Sequence, residues 1–160
     1  MATTIASPGE RIRSAWRRLA PLPGGKALFS RILGWMAPYS GTIHARVLAL
    51  EPGYAKVAMR DRRQVRNHLN SVHAIALANL AELSSGLAML AGLPASARGI
   101  PIGLTISFLK KARGPLTAEC RCSLPDLSRE GEYEVESSIV DAGGDVVARA
   151  AVRWKLGPVT

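Results

Sequence analysis

The longest run of mainly apolar positions covers residues 67–94, "NHLNSVHAIALANLAELSSGLAMLAGLP". A segment of this length that is apolar almost all round is typical of a helix that is covered on most sides. Ser71 is a suitable N-cap for this helix, and Gly92 and Pro94 are suitable terminators. One carboxylate, Glu82, interrupts the run near its middle, where a buried charge is costly unless it is paired.

Around this run, apolar and polar positions alternate with the period of β-strands. Two alternating segments precede it, and the turn "EPG" between them predicts a hairpin. In the first of these segments, Ile43, Ala45, Val47 and Ala49 are expected to face one way. Four more segments follow, at about residues 100–112, 116–125, 133–141 and 145–156, with turn-forming residues between them. The last three have short connections and predict an antiparallel meander.

The first 40 residues show helical spacing. Two short amphipathic helices are expected at about residues 9–20 and 26–36, separated by the breaker "PLPGG". Trp16, Phe29 and Trp35 follow this spacing and are expected to pack on the sheet. They do not form a stacking platform for nucleic acid, which needs exposed aromatic rings between basic residues.

This order of elements predicts an α+β fold in which a curved antiparallel sheet of about six strands wraps around one long central helix, preceded by two short N-terminal helices. We expect a single domain over residues 1–160, with an N-terminal helical extension at 1–40 and the core at 41–157. Because an edge strand usually needs pairing or protection, we also expect dimerisation through a sheet edge.

The net charge of +9 indicates which classes of partner the chain would attract. It favours polyanions, namely nucleic acid, an anionic membrane, or a phosphate-rich ligand such as a nucleotide or coenzyme A. A solvated basic surface explains the charge equally well. A membrane-spanning helix is disfavoured because Glu82 and several polar side chains lie at the centre of the apolar run.

The cysteines and histidines show no metal-binding spacing. Cys120 and Cys122 are too close in sequence to close a useful disulfide loop, so we interpret both as reduced structural residues of a cytoplasmic protein. No apolar signal segment is visible at the N-terminus. An alternative is a mitochondrial transit peptide, because the first 40 residues are rich in Arg and Ser and contain one acid, Glu10.

Three polar residues before and within the long helix are separated by a recognisable spacing. His73 follows Asn67 by six positions, and Glu82 follows His73 by nine. Together with the element order, this spacing resembles hotdog-fold thioesterases of the phenylacetyl-CoA thioesterase-like group. The strings "PLPGGKALFSRILGWMAPYSG" and "VRNHLNSVHAIALANLAELSSG" are similar to the DUF4442-type branch of that superfamily. The resemblance covers nearly the whole chain and implies the hotdog fold.

The resemblance also implies roles. Glu82 would be the nucleophile or general base, Asn67 would position water or carbonyl, and His73 would begin an oxyanion segment with the amide of Ala74 as donor. The family site lies between two subunits, which implies a homodimer or a dimer of dimers, without metal or cofactor. The chain departs from the pattern at Ala74 and Ile75, which replace two glycines, and near Pro101, where related enzymes often carry Ser or Thr.

Other candidates would contact substrate. Ser85 shares a helix face with Glu82 and either lines the pocket, bonds the carboxylate, or lets the sheet approach. Ile75 would lie beside the carbonyl site. Two basic groups would hold coenzyme A phosphates or form a solvated face. They comprise Arg60, Arg62, Arg63 and Arg66 before the helix, and Lys110, Lys111 and Arg113 after the third strand.

Three functions from different classes compete. The first is an acyl-CoA thioesterase acting on a fatty or aromatic acyl chain of unspecified length. The second is a non-catalytic acyl-CoA or lipid-binding module, motivated by Ala74 and Ile75. The third is a basic adaptor on nucleic acid or an anionic membrane, motivated by the charge. We predict the first, with no nucleic-acid partner and no integral membrane association.

Overall fold

Two helices, a hairpin, a long helix and four strands follow one another in the computed structural model, which describes residues 7–125 and 127–159. The helices are α1 (Pro8–Leu19), α2 (Gly25–Met36), the one-turn α3 (Pro38–Gly41) and α4 (Ala74–Gly92), with a 3-10 turn at Arg63–Val65. The strands are β1 (Arg46–Glu51), β2 (Tyr54–Met59), β3 (Ala97–Phe108), β4 (Leu116–Arg121), β5 (Gly131–Val140) and β6 (Val146–Pro158).

The six strands form one antiparallel sheet in the order β1-β2-β4-β5-β6-β3. Neighbouring β4, β5 and β6 are the predicted meander. Helix α4 packs against every strand of the sheet, so the sheet curves around it. The predicted α+β architecture, with one central helix inside a curved six-stranded sheet, is therefore confirmed.

The start of α4 differs from the prediction. The helix begins at Ala74, and its N-cap is His73, whose Nδ1 accepts a hydrogen bond from the amide of Ile75 (3.1 Å). Ser71 was the expected cap, but its amide and hydroxyl both donate to Oδ1 of Asn67 (3.2 and 3.1 Å). Local loop bonding therefore removes Ser71 from the helix terminus.

Within the described residues, α4 is the one helix long and apolar enough to cross a membrane, and about two thirds of its most apolar window is buried inside the fold. Its apolar surface is thus covered by the sheet and by the N-terminal helices. The position agrees with a core helix, as the central polar residues suggested.

The predicted first strand is wrong at both ends: Ile43 lies in a turn and Ala45 precedes β1, which begins at Arg46, and the alternation fails beyond Val47. A β-bulge lies between Val47 and Ala49, so the buried positions are Val47 and Leu50. Helix α2 lies along this edge, where the Val47 amide donates to the Ser30 hydroxyl (2.9 Å) and Lys26 Nζ donates to the Leu48 carbonyl (2.7 Å). These bonds protect one edge of the sheet.

The aromatic residues of the extension divide into two groups. Trp16 and Phe29 pack edge to face at 5.1 Å, and Phe29 is buried, as expected. The prediction is wrong for Trp35, which is 82% exposed. Leu28 and Ile32 on the same side of α2 are also exposed. In α2 the Phe29 side chain is buried, and Leu28, Ile32 and Trp35 form a stripe that faces solvent.

Candidate active site

Glu82 lies in the middle of α4 and is half-buried. Its carboxylate forms no ion pair and accepts no hydrogen bond from any described residue. Partial burial alone raises the pKa of Glu82, because the charged form loses hydration without gaining a partner. An unpaired acid of this kind is a candidate general base, since perturbed carboxyl groups cluster at functional sites.

The raised pKa has a definite effect on stability. The folded chain binds the Glu82 proton more tightly than the unfolded chain does. The contribution of this group to folding is therefore fully present below the unfolded-state pKa, and it is lost as pH rises through the folded-state pKa. The ionised acid is thus retained at a cost in stability.

Gly86 lies between this carboxylate and the Trp154 ring, and neither Gly86 nor Trp154 was identified from the sequence. A Cβ placed on Gly86 would lie 3.7 Å from Oε1 of Glu82 and 3.6 Å from the Trp154 ring. Trp154 is almost fully buried, and its indole N–H has no hydrogen-bond partner in the described structure. The four-residue spacing of Glu82 and Gly86 was a usable signal, because such pairs are neighbours on a helix. Nothing local pointed to Trp154.

The loop before α4 holds Asn67 as a structural centre. Its Oδ1 accepts hydrogen bonds from the amides of Leu69 and Ser71 and from the Ser71 hydroxyl. This is a turn-forming role, which is common for Asn in loops. Its Nδ2 has no partner among the described residues and can donate to a ligand.

The N-terminus of α4 offers a donor to an anion. The His73 side chain caps the Ile75 amide, while the preceding Ala74 amide has no acceptor in the described part of the chain. An unpaired amide at this end of a helix is aligned with the positive end of the helix dipole. His73 therefore contributes to the site by capping a backbone amide of the helix, and its ring is exposed.

The acid and the helix terminus are separated within one chain. Glu82 follows Ala74 by eight positions, which corresponds to about 12 Å along a helix axis. A single thioester carbonyl cannot contact both groups of the same chain. Asn67, His73 and Ala74 thus form one cluster, and Glu82, Gly86 and Trp154 form another.

The remaining sequence candidates are distributed as follows. The Ser85 hydroxyl donates to the backbone carbonyl of Glu82 (2.9 Å) and not to its carboxylate, and Ser85 is fully buried, as suits close packing with the sheet. Ile75 is 56% exposed beside the helix start. Pro101 lies on β3 opposite Trp154 and supplies no hydroxyl.

The two predicted basic groups meet near the start of α4. Val72 donates its amide to the Ala112 carbonyl (2.8 Å), and Arg113 Nε donates to the Asn70 carbonyl (3.3 Å). Some charges are already paired: Arg66 binds Asp61 (2.6 Å), and Lys110 binds Asp141 and Asp145 (2.7 and 2.6 Å). Arg63 and Lys111 are exposed and have no carboxylate partner among the described residues.

Cys120 and Cys122 are both free cysteines in the described structure, and Cys120 is buried. In the part of the chain that the structure describes, no three His, Cys, Asp or Glu side chains converge in a way that could hold a metal ion.

Comparison with known proteins agrees with this architecture. A structural-genomics target of known crystal structure is 34% identical to this chain, covers 93% of it and 99% of its own length, and superposes with a TM-score of 0.82. A Pseudomonas aeruginosa protein of unknown function, described as a probable thioesterase, is 28% identical over 86% of this chain and 97% of its own, with a TM-score of 0.75.

More distant similarity shows the fold alone. A thioesterase family protein from Silicibacter pomeroyi is 16% identical, covers 81% of this chain and 96% of its own, and has a TM-score of 0.69. None of the curated proteins matches the sequence. The profile of the domain of unknown function DUF4442 matches residues 25–156. The chain therefore belongs to the DUF4442 family and has its thioesterase-like hotdog fold.

Proposed function

We propose that this protein is a thioester hydrolase that cleaves an acyl-coenzyme A, with Glu82 as its catalytic acid–base residue. The observation that carries the proposal is the unpaired, half-buried Glu82 carboxylate on the central helix of a thioesterase-like fold. The probable-thioesterase description of the P. aeruginosa relative supports the same reaction class.

The proposed reaction needs one water and no other co-reactant. The Glu82 carboxylate accepts a proton from water while the water oxygen attacks the thioester carbonyl carbon. The resulting oxyanion accepts a hydrogen bond from a helix N-terminal amide, namely that of Ala74. The C–S bond then breaks, and protonated Glu82 returns the proton to the leaving thiolate. The products are a carboxylic acid and free coenzyme A.

This scheme requires two copies of the chain, because one chain holds its acid and its oxyanion donor about 12 Å apart. The free edge of the sheet favours β3 as the contact. In the described structure β3 ends the sheet, and its apolar side chains Leu104 and Phe108 are 40% and 50% exposed. The opposite edge, β1, is protected by α2. A homodimer through β3 follows as part of the proposal.

The basic residues near the start of α4 supply the expected contacts for coenzyme A phosphates. Arg63 and Lys111 are exposed without carboxylate partners among the described residues, and Arg113 follows Lys111 by two positions and bonds the Asn70 carbonyl. Arg66 and Lys110 contribute less, because each already forms an ion pair. Guanidinium and ammonium groups of this kind bind phosphate through charge-assisted hydrogen bonds.

Free-thiol release from short, aromatic and long acyl-CoAs tests the proposal. Glu82→Gln should lower kcat by at least about 100-fold, the contribution of a positioned general base. The matched control is Glu136→Gln, which makes the same chemical change on an exposed position of β5. Equal turnover by wild type and Glu82→Gln would refute the role of Glu82.

A second candidate function rests on Ala74 and Ile75, which stand where related enzymes have two glycines. The Ile75 amide is occupied by His73, and a branched side chain flanks the proposed carbonyl position. These features favour a protein that binds acyl-CoA without hydrolysing it. Saturable binding with no thiol release by wild type, at any chain length, would support this alternative against the hydrolase.

A further inference from the structure

A cavity of about 870 Å³ lies on the side of α4 that presents Leu83, and it is bordered by α2, α3, the β1–β2 strands and the loop after β2. Helix α4 presents Leu83 to this cavity, whereas the neighbouring Glu82 lies towards Gly86 and Trp154. Consecutive helical residues point about 100° apart, so the two spaces are separate.

The charge around this cavity is entirely positive. Four arginines line it, and no Asp or Glu does. They are Arg31, Arg46, Arg60 and Arg62. None of them forms an ion pair with a described carboxylate, in contrast to Arg66 and Lys110. Unneutralised guanidinium groups around one concave surface attract an anion.

Arg62 carries the most specific signal. One terminal nitrogen donates to the Thr42 carbonyl (2.6 Å), but the Nε–H is buried and has no partner in the described structure. Buried polar groups are nearly always hydrogen-bonded, and an unpaired donor on a charged group is costly. Arg62 lines the cavity, so its uncompensated guanidinium charge attracts an anionic ligand there.

The floor of the cavity is apolar. Leu33, Leu48 and Leu83 line it and are half-buried, and the lining residues Val47 and Met59 are almost fully buried. At the rim, His44 has a positive φ of 48°, a backbone conformation that is uncommon outside glycine. Such conformations are concentrated at functional sites. The volume also lies within the range of roughly 300–1,000 Å³ that is usual for small-molecule pockets.

We propose that this cavity binds a single-chain amphiphile with an anionic head group. The head group contacts Arg62 and the other arginines, and the alkyl chain covers the half-buried Leu33, Leu48 and Leu83. A neutral ligand would leave the charge of the four arginines uncompensated, and a small inorganic anion would leave these leucines exposed to water. The site is independent of the proposed chemistry at Glu82.

Isothermal titration of the full chain with decanoate, decyl phosphate and decanol tests the proposal, with acetate and inorganic phosphate as short anions. We expect one decanoate or decyl phosphate per chain, bound at least about tenfold more tightly than decanol, as one charge-assisted hydrogen bond would give. The ratio of the two anions distinguishes a carboxylate ligand from a phosphate ligand. Absence of binding, or equal affinity for decanol, overturns the proposal.

Variants locate the ligand. Arg62→Gln should weaken decanoate binding about tenfold and leave decanol binding unchanged. Arg31→Gln should act in the same direction without disturbing the fold, because Arg31 is exposed and has no partner among the described residues. Ala27→Leu, on the α2 wall, should weaken all three decyl ligands by filling the cavity.

Two controls separate this proposal from the hydrolase. Arg149→Gln removes one charge from an exposed position on β6 and should leave decanoate affinity unchanged. Glu82→Gln should also leave it unchanged. If Glu82→Gln abolishes binding while the Arg62 and Arg31 variants bind normally, the ligand occupies the Glu82 site and the cavity proposal is wrong.

Discussion

Gly86 is the position where one added methyl group tests both the packing of α4 and the surroundings of Glu82. Glycine inside a helix costs about 0.5–1 kcal/mol relative to alanine. A Cβ at this position would make ordinary van der Waals contacts, 3.6 Å from the Trp154 ring and 3.7 Å from Oε1 of Glu82. We therefore expect Gly86→Ala to raise the free energy of unfolding by about 1 kcal/mol, or roughly 2–4 °C in Tm for a chain of this size.

The added methyl group also removes water from the Glu82 carboxylate. The gain in stability should consequently be larger in mildly acidic buffer, where Glu82 is protonated, than above neutral pH, where the ionised form loses hydration. Urea unfolding at the two pH values measures both free energies. The same desolvation should shift the acidic limb of any pH–rate profile of thiol release to higher pH.

Gly9 provides the opposing control. It lies in α1 where that helix crosses α4, and a Cβ there would overlap the carbonyl oxygen of Leu90. Backbone atoms at this crossing cannot move aside as a flexible side chain can, so Gly9→Ala should destabilise the chain by about 1–3 kcal/mol. Destabilisation of similar size by Gly86→Ala at both pH values would show that no space exists beside Glu82, and would refute this reasoning.

Three further predictions concern single groups. Glu82→Gln should raise Tm relative to wild type at about pH 8 and lose this advantage near pH 4, because the stabilising proton on Glu82 is lost as pH rises. Ser84→Ala should cost about 1–3 kcal/mol in urea unfolding, since it leaves the buried Ser137 hydroxyl without its 2.6 Å partner. The double variant Ser84→Ala/Ser137→Ala should cost less than the sum of the singles, and additive costs would contradict this pairing. Ser7→Ala removes the capping box that Ser7 forms with Glu10 and should cost about 1 kcal/mol by thermal unfolding, whereas an unchanged Tm would show that the α1 terminus does not contribute.

Much of the site could be anticipated because its parts are close in sequence. Asn67, His73 and the start of α4 belong to one loop and one helix terminus, and Glu82 was identified as the single acid in an apolar run. The residues near the Glu82 carboxylate were harder to predict from the sequence. Gly86 is four positions away on the same helix, but Trp154 reaches it from the far end of the chain through the sheet.

Which basic residues form ion pairs was equally hard to predict from the sequence. Lys110 resembled Lys111 and Arg113 in sequence, yet Asp141 and Asp145 neutralise it from the β5–β6 turn. Arg62 resembled its neighbour Arg63, but the fold buries its Nε and places Arg62 in the wall of a cavity bordered by α2 and the hairpin. Both outcomes depend on partners that lie far away along the chain.

The sequence by itself determined the type and order of the main helices and strands, because helix and strand periods, turn residues and breakers act over a few positions. It also determined that one acid would lie on the central helix. The tertiary structure decided that His73 and not Ser71 caps α4, that a bulge at Leu48 breaks the alternation, and that Trp35 is exposed. These features arise when distant segments compete for the same hydrogen bonds and the same buried surface, and a local pattern contains no record of that competition.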